Sequence, residues 1–281
     1  MAKRLLTAFF GVLVLIPFVI FSYTFPLLIL TVFMSGLGVY EVLKCIGKEK
    51  NIYLLVLAET VSASTQILTR VIADDNTYLA AFMMISIVFF VLVLSGAVFT
   101  AGREQGKITV AEAMLISVMT VYVSFGFSSL TLLRDMQYGL ILLFIWFFLP
   151  WICDGMAYFS GRAFGKHKLI PAVSPKKTVE GAIGGVIGTL VLMMVFALVM
   201  QFGFGYTPNY PVLLLVTLVG CPISMCGDLI ASLVKREYGV KDYGNLLPGH
   251  GGVMDRFDSC ISTGPFIYIV CVLFSSNALF Y

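Results

Sequence analysis

The sequence has little charge and only two histidines. Charged residues make up 12% of the 281 residues, whereas 59% are hydrophobic, and the mean hydropathy is +0.99. A soluble domain is typically about 45–50% apolar. No polar stretch exceeds about 30 residues, which is too short to bury a core of its own. This composition excludes a separate soluble domain and indicates that a bilayer surrounds most of the chain.

Several familiar catalytic and metal-binding patterns are also missing. None of the six cysteines forms a C-x-x-C pair, so we expect small apolar side chains in helices rather than a disulfide or a zinc site. The sequence contains no H-E-x-x-H and no Ser-His-Asp order. The run 161–166 is similar to a P-loop, but its glycine spacing is one residue short. The net charge is only +3, and no nucleic-acid partner is expected.

Apolar runs long enough to cross a bilayer recur along the whole chain. A spanning helix needs about 17–25 residues. We therefore predict an all-α integral membrane protein, a polytopic bundle of about nine transmembrane helices. The first run resembles a signal peptide but is followed by no A-x-A site, so we expect it to be retained. The predicted spans are 5–22, 24–44, 52–69, 78–100, 110–130, 137–158, 181–202, 210–231 and 261–280.

The distribution of basic residues predicts the orientation. With the N-terminus in the cytoplasm and the C-terminus external, 16 of the 18 basic residues fall on the cytoplasmic side, and Arg70 and Arg134 do not. Cytoplasmic loops 159–180 and 232–260 hold most of the reactive side chains. We therefore predict a multi-pass protein of the cell (inner) membrane whose active site faces the cytoplasm. Residues 1–135 would supply N-terminal transmembrane helices, and 136–281 a catalytic region.

The segment 232–258 concentrates acids, bases and flexible backbone. Carboxylates can hold a divalent cation, and Lys and Arg can hold phosphates. Glycine lets backbone N–H groups approach an anion closely. The segment thus indicates phosphate chemistry at a membrane surface. Its charged residues are Lys235, Arg236, Glu237, Lys241, Asp242, Asp255, Arg256 and Asp258, and His250 lies among glycines.

Asp228 lies near the cytoplasmic end of a predicted span, where a carboxylate is costly unless it is paired or binds a cation. Asp255 precedes the last predicted span. If these two spans pack side by side, both carboxylates converge and form a Mg²⁺ site that keeps waters and substrate phosphates as further ligands. The alternative is a salt-bridge cluster with Arg236 and Arg256.

A second cluster, Ser174-Pro-Lys-Lys-Thr-Val-Glu-Gly181, directly precedes the span 181–202. Its lysines and hydroxyls near a helix N-terminus suit a triphosphate, although a topological anchor with a capped helix explains the lysines equally well. Asp154, at the end of an aromatic run, could bind a ligand or pair with a nearby lysine.

Two features inside the predicted spans concern packing. Gly181 with Gly185, and Gly184 with Gly188, form G-x-x-x-G patterns that favour close helix contact over a phosphate-binding turn. Glu59 and the hydroxyl residues after it mark either an ion path or hydrogen bonding within the bundle.

The run Ser232-x-x-Lys-Arg, Lys241-Asp242 and Pro248-Gly-His-Gly-Gly-x-x-Asp-Arg-x-Asp258 resembles the signature of the phosphatidate cytidylyltransferases, or CDP-diacylglycerol synthases. The runs Gly227-Asp-Leu229 and Ser174–Gly181 also resemble family motifs, so the resemblance covers the C-terminal half. The chain departs from the family at Gly155, where Ser or Thr is common, and at Ala231, where Glu is common.

The resemblance implies that CTP and phosphatidic acid give CDP-diacylglycerol and pyrophosphate in phospholipid biosynthesis. It implies a homodimer among membrane lipids, Mg²⁺ with Mn²⁺ as the alternative, and a second, monovalent cation as a further expectation. The implied catalytic residues are Asp228, Asp255, Lys241 and His250, with Asp228 and Asp255 as metal ligands. The implied substrate-binding residues are Asp154, Ser174, Lys176, Lys177, Thr178, Glu180, Ser232, Lys235, Arg236, Asp242, Gly251, Gly252, Arg256 and Asp258.

Two other functions compete with this one. A transporter would fit many spans, but it often shows repeat symmetry and polar groups at mid-bilayer, whereas here the charges gather at one face. A CTP-using lipid kinase, or a synthase acting on another lipid phosphate, would share the nucleotide-binding residues and differ in its acceptor.

Overall fold

The computed structural model describes residues 25–103, 106–245, 251–274 and 278–281. All eight described helices are long and apolar enough to cross a bilayer, which confirms the predicted all-α membrane protein. The predicted span 5–22 lies outside the described residues. The elements are α1 (Phe25–Cys45), α2 (Ile52–Val71), α3 (Asp75–Thr100), α4 (Val110–Asp135), α5 (Gly139–Phe164), β1 (Lys168–Ile170), β2 (Ser174–Thr178), α6 (Val179–Phe204), α7 (Tyr210–Glu237) and α8 (Met254–Phe274).

Two helices extend further into the charged segment than their hydropathy predicts. Helix α7 continues to Glu237 instead of ending near 231, and α8 begins at Met254 instead of 261. Hydropathy detects the part of a helix that suits lipid, whereas backbone hydrogen bonding can continue through polar residues beyond it. Several predicted loop residues are therefore helical, namely Ser232, Lys235, Arg236, Asp255, Arg256 and Asp258.

A short antiparallel hairpin joins α5 to α6 and was not predicted. Strands β1 and β2 pair Lys168 with Thr178 and Ile170 with Ser174. Glu180, in the first turn of α6, accepts hydrogen bonds from the backbone N–H groups of Lys166 and His167 at 3.1 and 3.2 Å. The strands have three and five residues and little hydrophobic alternation, so the sequence offers almost no signal for them.

The contacts divide the chain into two units. One contains Met1–Thr131 and Tyr238–Arg256, and the other contains Leu132–Glu237 and Phe257–Tyr281. The division predicted between residues 135 and 136 remains a prediction. All six cysteines are free thiols and five are buried, in agreement with their expected role as small apolar side chains.

Polar side chains link the helices of the first unit. Ser35 Oγ of α1 lies 2.7 Å from Ser62 Oγ of α2, and Gln66 Nε2 of α2 donates to the carbonyl oxygen of Ser124 in α4 at 2.8 Å. In lipid, such groups must be satisfied by neighbouring helices. Ser62 follows Glu59 in the polar run of α2, so hydrogen bonding within the bundle is observed for this run.

Glycines bring α5 and α6 of the second unit into close contact. A Cβ atom on Gly185 would lie 3.0 Å from Ala157 Cβ and 3.1 Å from the carbonyl oxygen of Cys153. A Cβ atom on Gly188 would collide with the side chain of Met156. The predicted packing role of the G-x-x-x-G patterns is therefore confirmed.

We expect Gly185→Ala to lower stability by about 1–3 kcal/mol, because the added methyl group meets the backbone of α5. A thermal unfolding curve in detergent would measure the loss. Gly203→Ala is the matched control in the same helix, since its Cβ atom would meet only Val199 at 4.0 Å. Because alanine favours a helix over glycine, this control should be neutral or slightly stabilising. Equal melting temperatures for the two variants would contradict the packing role.

Candidate active site

A pocket of about 340 Å³ lies in the second unit, where α5, α6, α7 and the hairpin meet. Its wall carries two carboxylates and three basic side chains among small and apolar residues. This combination can bind a polyanion and a cation together. The lining residues are Asp154, Ala157, Tyr158, Gly161, Arg162, Leu169, Lys176, Lys177, Thr178, Gly181, Ala182, Met225 and Asp228.

The start of α6 forms one side of this pocket. Thr178 caps the helix, because its Oγ1 accepts a hydrogen bond from the N–H of Gly181 at 3.1 Å. A Cβ atom on Gly181 would lie 2.8 Å from the carbonyl oxygen of Ala157 and 3.1 Å from the Cα of Gly161. Only glycine permits this approach, which places the positive end of α6 beside α5.

Lys177 and Asp228 form an ion pair inside the pocket. The Lys177 Nζ lies 2.5 Å from Asp228 Oδ2, and the side chains are 24% and 28% exposed. Ser232, one turn further along α7, donates a hydrogen bond to Asp228 Oδ1 at 3.4 Å. The pair joins the two predicted clusters, since Lys177 comes from the hairpin and Asp228 from α7. Both side chains remain accessible enough to contact a ligand.

Asp228 is also the centre of a group of three carboxylates. Asp154 and Asp258 each lie close enough to Asp228 for electrostatic repulsion, and Lys177 and Lys235 provide compensating positive charge. Ser259 Oγ donates to Asp154 Oδ2 at 3.1 Å, and the Ser259 N–H donates to Asp258 Oδ1 at 2.8 Å. Asp258 is 8% exposed. Carboxylates held this close together, one of them buried, favour a bound cation.

The donor chemistry of this group fits Mg²⁺. Within the described ranges, no three His, Cys, Asp or Glu side chains are arranged as a complete metal site. Mg²⁺ does not need one, because it usually binds through one or two carboxylates while waters and substrate phosphates supply the remaining ligands. Asp154 and Asp228 both line the pocket and supply oxygen ligands of the required kind.

Several other predicted site residues lie in the first unit. Asp255 Oδ2 accepts hydrogen bonds from the N–H groups of Tyr243 and Gly252 at 2.8 and 2.9 Å. Gly251 has φ +83°, a conformation that favours glycine. Lys241, Asp242 and Arg256 are exposed, and His250 lies outside the described residues.

The structure therefore brings together part of the predicted site. Asp154, Lys176, Lys177, Thr178 and Asp228 line one pocket, whereas the predicted pairing of Asp228 with Asp255 remains a prediction because the two residues belong to different units. Ser174 lies in β2 and Glu180 binds the preceding backbone, so their substrate contacts also remain predictions. Asp258 lies inside α8 and does not cap it, because the helix begins at Met254.

Sequence reasoning missed Arg162 and Ser259. Arg162 was counted only as a basic residue on the predicted cytoplasmic side, yet it lines the pocket with Lys176 and Lys177. The signal that could have found it is its place in the GRAFGK run, just before the lysine-rich cluster. Ser259 directly follows Asp258, the last residue of the signature, and had no assigned role. Its contact with Asp154 joins residues 105 positions apart.

Comparison with known proteins gives a consistent result. The sequence matches the model of the Cytidylyltransferase family over residues 2–274. It is 42% identical over 172 residues to a phosphatidate cytidylyltransferase of Bacillus subtilis (strain 168), covering 61% of this chain and 62% of that protein. It is 48% identical over 133 residues to a phosphatidate cytidylyltransferase of Haemophilus influenzae, covering 47% and 46%. These matches span less than two thirds of the length of either relative.

Proposed function

The chain belongs to the Cytidylyltransferase family, and we propose that it transfers the cytidylyl group of CTP to phosphatidic acid, giving CDP-diacylglycerol and pyrophosphate. The observation that carries this proposal is the pocket at the start of α6, where Lys177 pairs with Asp228 at 2.5 Å beside Arg162 and Lys176. The relatives from Bacillus subtilis and Haemophilus influenzae are named phosphatidate cytidylyltransferases, which supports the same activity.

In the proposed reaction, a phosphate oxygen of phosphatidic acid attacks the α-phosphorus of CTP. A new P–O bond forms, and the bond from the α-phosphorus to the bridging oxygen of the β-phosphate breaks, so pyrophosphate leaves. The acceptor already carries a nucleophilic phosphate, and no protein nucleophile is required. Catalysis then depends on positioning and charge neutralisation, which the basic residues of the pocket can provide.

Each side of the pocket has a separate role in this proposal. Lys176, Lys177 and Arg162 offset the charge of the triphosphate, and the start of α6 adds the positive end of a helix. Asp154 and Asp228, with Asp258 nearby, would hold Mg²⁺ or Mn²⁺. When bound, the metal polarises the α-phosphate and orients the leaving pyrophosphate. Arg236, exposed at the end of α7, is proposed to bind the phosphatidate headgroup.

One assay separates this activity from the alternatives. Purified protein would be incubated with Mg²⁺, phosphatidic acid in mixed micelles and CTP labelled at the α-phosphate. We expect label to enter the lipid fraction and unlabelled pyrophosphate to be released. Consumption of CTP with unlabelled lipid would instead identify a kinase, because a kinase transfers the γ-phosphate. CTP that stays intact would contradict both nucleotide-dependent functions and favour a transporter.

The proposed cytoplasmic position of the pocket can be tested by cysteine labelling. We expect single cysteines on the cytoplasmic side to be shielded from an impermeant thiol reagent in intact cells, because the basic residues gather there. Cysteines on the other side should react, and permeabilisation should expose both sets. Labelling from outside at residue 244 would overturn this orientation. In a cysteine-free background, the shielded positions are Lys48, Gly106, Lys168 and Gly244, and the reactive ones are Asp75 and Asn209.

A homodimer and a second, monovalent cation remain expectations from the resemblance. The predicted roles of Asp255 as a catalytic residue and metal ligand, and those of Lys241, His250 and Arg256, likewise belong to the proposal. Lys241 would offset the charge of the triphosphate, and Arg256 would hold the phosphatidate headgroup. His250 with its glycines would shape a turn that presents backbone donors.

A further inference from the structure

A buried carboxylate from α1 binds the start of α8 within the first unit. Glu41 Oε1 accepts a hydrogen bond from the N–H of Val253 at 3.0 Å, and Glu41 Oε2 accepts one from the N–H of Met254 at 2.9 Å. Glu41 is only 5% exposed. These bonds join residues more than 200 positions apart in the sequence.

The first N–H groups of a helix have no partner within the helix and carry partial positive charge. Glu41 therefore acts as a cap for α8 that comes from a distant helix. The same bonds explain how this acidic side chain is tolerated in a buried position, since a buried carboxylate is costly unless it is bonded.

Two glycines fit closely around this carboxylate. A Cβ atom on Gly244 or on Gly252 would collide with the Glu41 side chain. Asp255 adds a second attachment, because its Oδ2 accepts hydrogen bonds from the N–H groups of Tyr243 and Gly252. The backbone at Tyr243 and the backbone at 252–254 are thus both held by carboxylates.

We infer that Glu41 is a positioning residue for the reaction, which fixes the backbone of Gly252–Met254 and so directs the Asp255 side chain. This inference rests on the proposed function, in which Asp255 belongs to the catalytic group. The inference assigns a role in the reaction to α1, although this helix lies outside the family signature. Glu41 itself binds only backbone in this arrangement and needs no contact with a substrate.

The test replaces the carboxylate by an amide of the same shape. In Glu41→Gln, the amide NH₂ group faces one of the two backbone N–H groups, so one hydrogen bond is lost. We expect faster amide hydrogen exchange at Gly252, Val253 and Met254, with exchange in α2 unchanged. We also expect kcat to fall by about 10- to 100-fold while the KM for CTP changes by less than about twofold, because misplacement affects turnover more than binding.

Glu59→Gln is the matched control, since Glu59 is an acidic residue of the neighbouring helix α2 in the same unit. Its carboxylate lies near Gly36 rather than near the start of α8. It should change neither the exchange of residues 252–254 nor kcat. Glu41→Asp keeps the charge on a shorter side chain and should restore part of the turnover that Glu41→Gln loses.

A second pair of variants keeps the test valid if Glu41→Gln does not fold. Gly244→Ala pushes the Glu41 carboxylate aside without removing it, and should raise exchange at the same three amides. Gly102→Ala is its control, because no described atom lies within 4 Å of a Cβ atom there.

Unchanged exchange in both Glu41→Gln and Gly244→Ala would overturn the inference, and so would faster exchange with full turnover. The exchange measurement does not depend on the reaction. If the wild-type protein failed to label lipid, the proposed function would fail while the contact between Glu41 and α8 could still be confirmed.

Discussion

Asp228→Asn is expected to lower turnover by about 100-fold or more, equivalent to about 3 kcal/mol in the barrier. Asn has nearly the shape of Asp but lacks the charge that pairs with Lys177 and that would hold a divalent cation. The protein should still insert and fold, because the side chain is 28% exposed rather than enclosed. The measurement is the rate at which the α-phosphate of CTP enters lipid, at several Mg²⁺ and Mn²⁺ concentrations.

Two further variants show whether the loss of turnover is specific to Asp228. Glu237→Gln, also on α7 but exposed and outside the pocket, should retain normal turnover. Asp258→Asn should have a milder effect than Asp228→Asn, because Asp258 does not line the pocket. Near-normal turnover of Asp228→Asn at low Mg²⁺ would remove Asp228 from the proposed metal site and leave Asp255 with Asp258 as the better pair.

Lys177→Ala should have the second-largest effect. We expect kcat/KM for CTP to fall by an amount equivalent to about 1.5–3 kcal/mol, because a charge-assisted contact to a phosphate is lost. Asp228 also loses its partner. Lys176→Ala should cost less, since Lys176 lines the same pocket but is exposed and not paired with Asp228. The dependence on phosphatidic acid should change less than the dependence on CTP in both variants.

Lys168→Ala is the matched control for these lysines, because Lys168 lies on the neighbouring strand outside the pocket. It should leave the kinetics for CTP unchanged. If Lys177→Ala combined with Lys176→Ala also left them unchanged, the hairpin would be a topological anchor and not a nucleotide site. In the double variant Lys177→Ala with Asp228→Asn, a loss smaller than the sum of the single losses would show that the ion pair acts as one unit.

The sequence determined the membrane helices, because hydropathy over about 20 residues is a local property that lipid imposes directly. It placed eight described spans in order and missed only helix ends such as Glu237 and Met254, where backbone hydrogen bonding continues past the apolar part. The G-x-x-x-G patterns between Gly181 and Gly188 also predicted close packing correctly. Small residues spaced four apart lie on one face of a helix and let the neighbouring helix approach closely.

Only the tertiary structure decided which partner each charged side chain contacts. Lys177 and Asp228 are 51 positions apart, Asp154 and Ser259 are 105 apart, and Glu41 and Val253 are 212 apart. The sequence marked Asp228 and Lys177 as reactive side chains but could not assign their partners. Partners of this kind depend on how helices and the hairpin pack, and packing is set by glycines and by buried hydrogen bonds distributed over the whole chain. A carboxylate such as that of Glu41 acquires its role only when the distant backbone that it binds is in place.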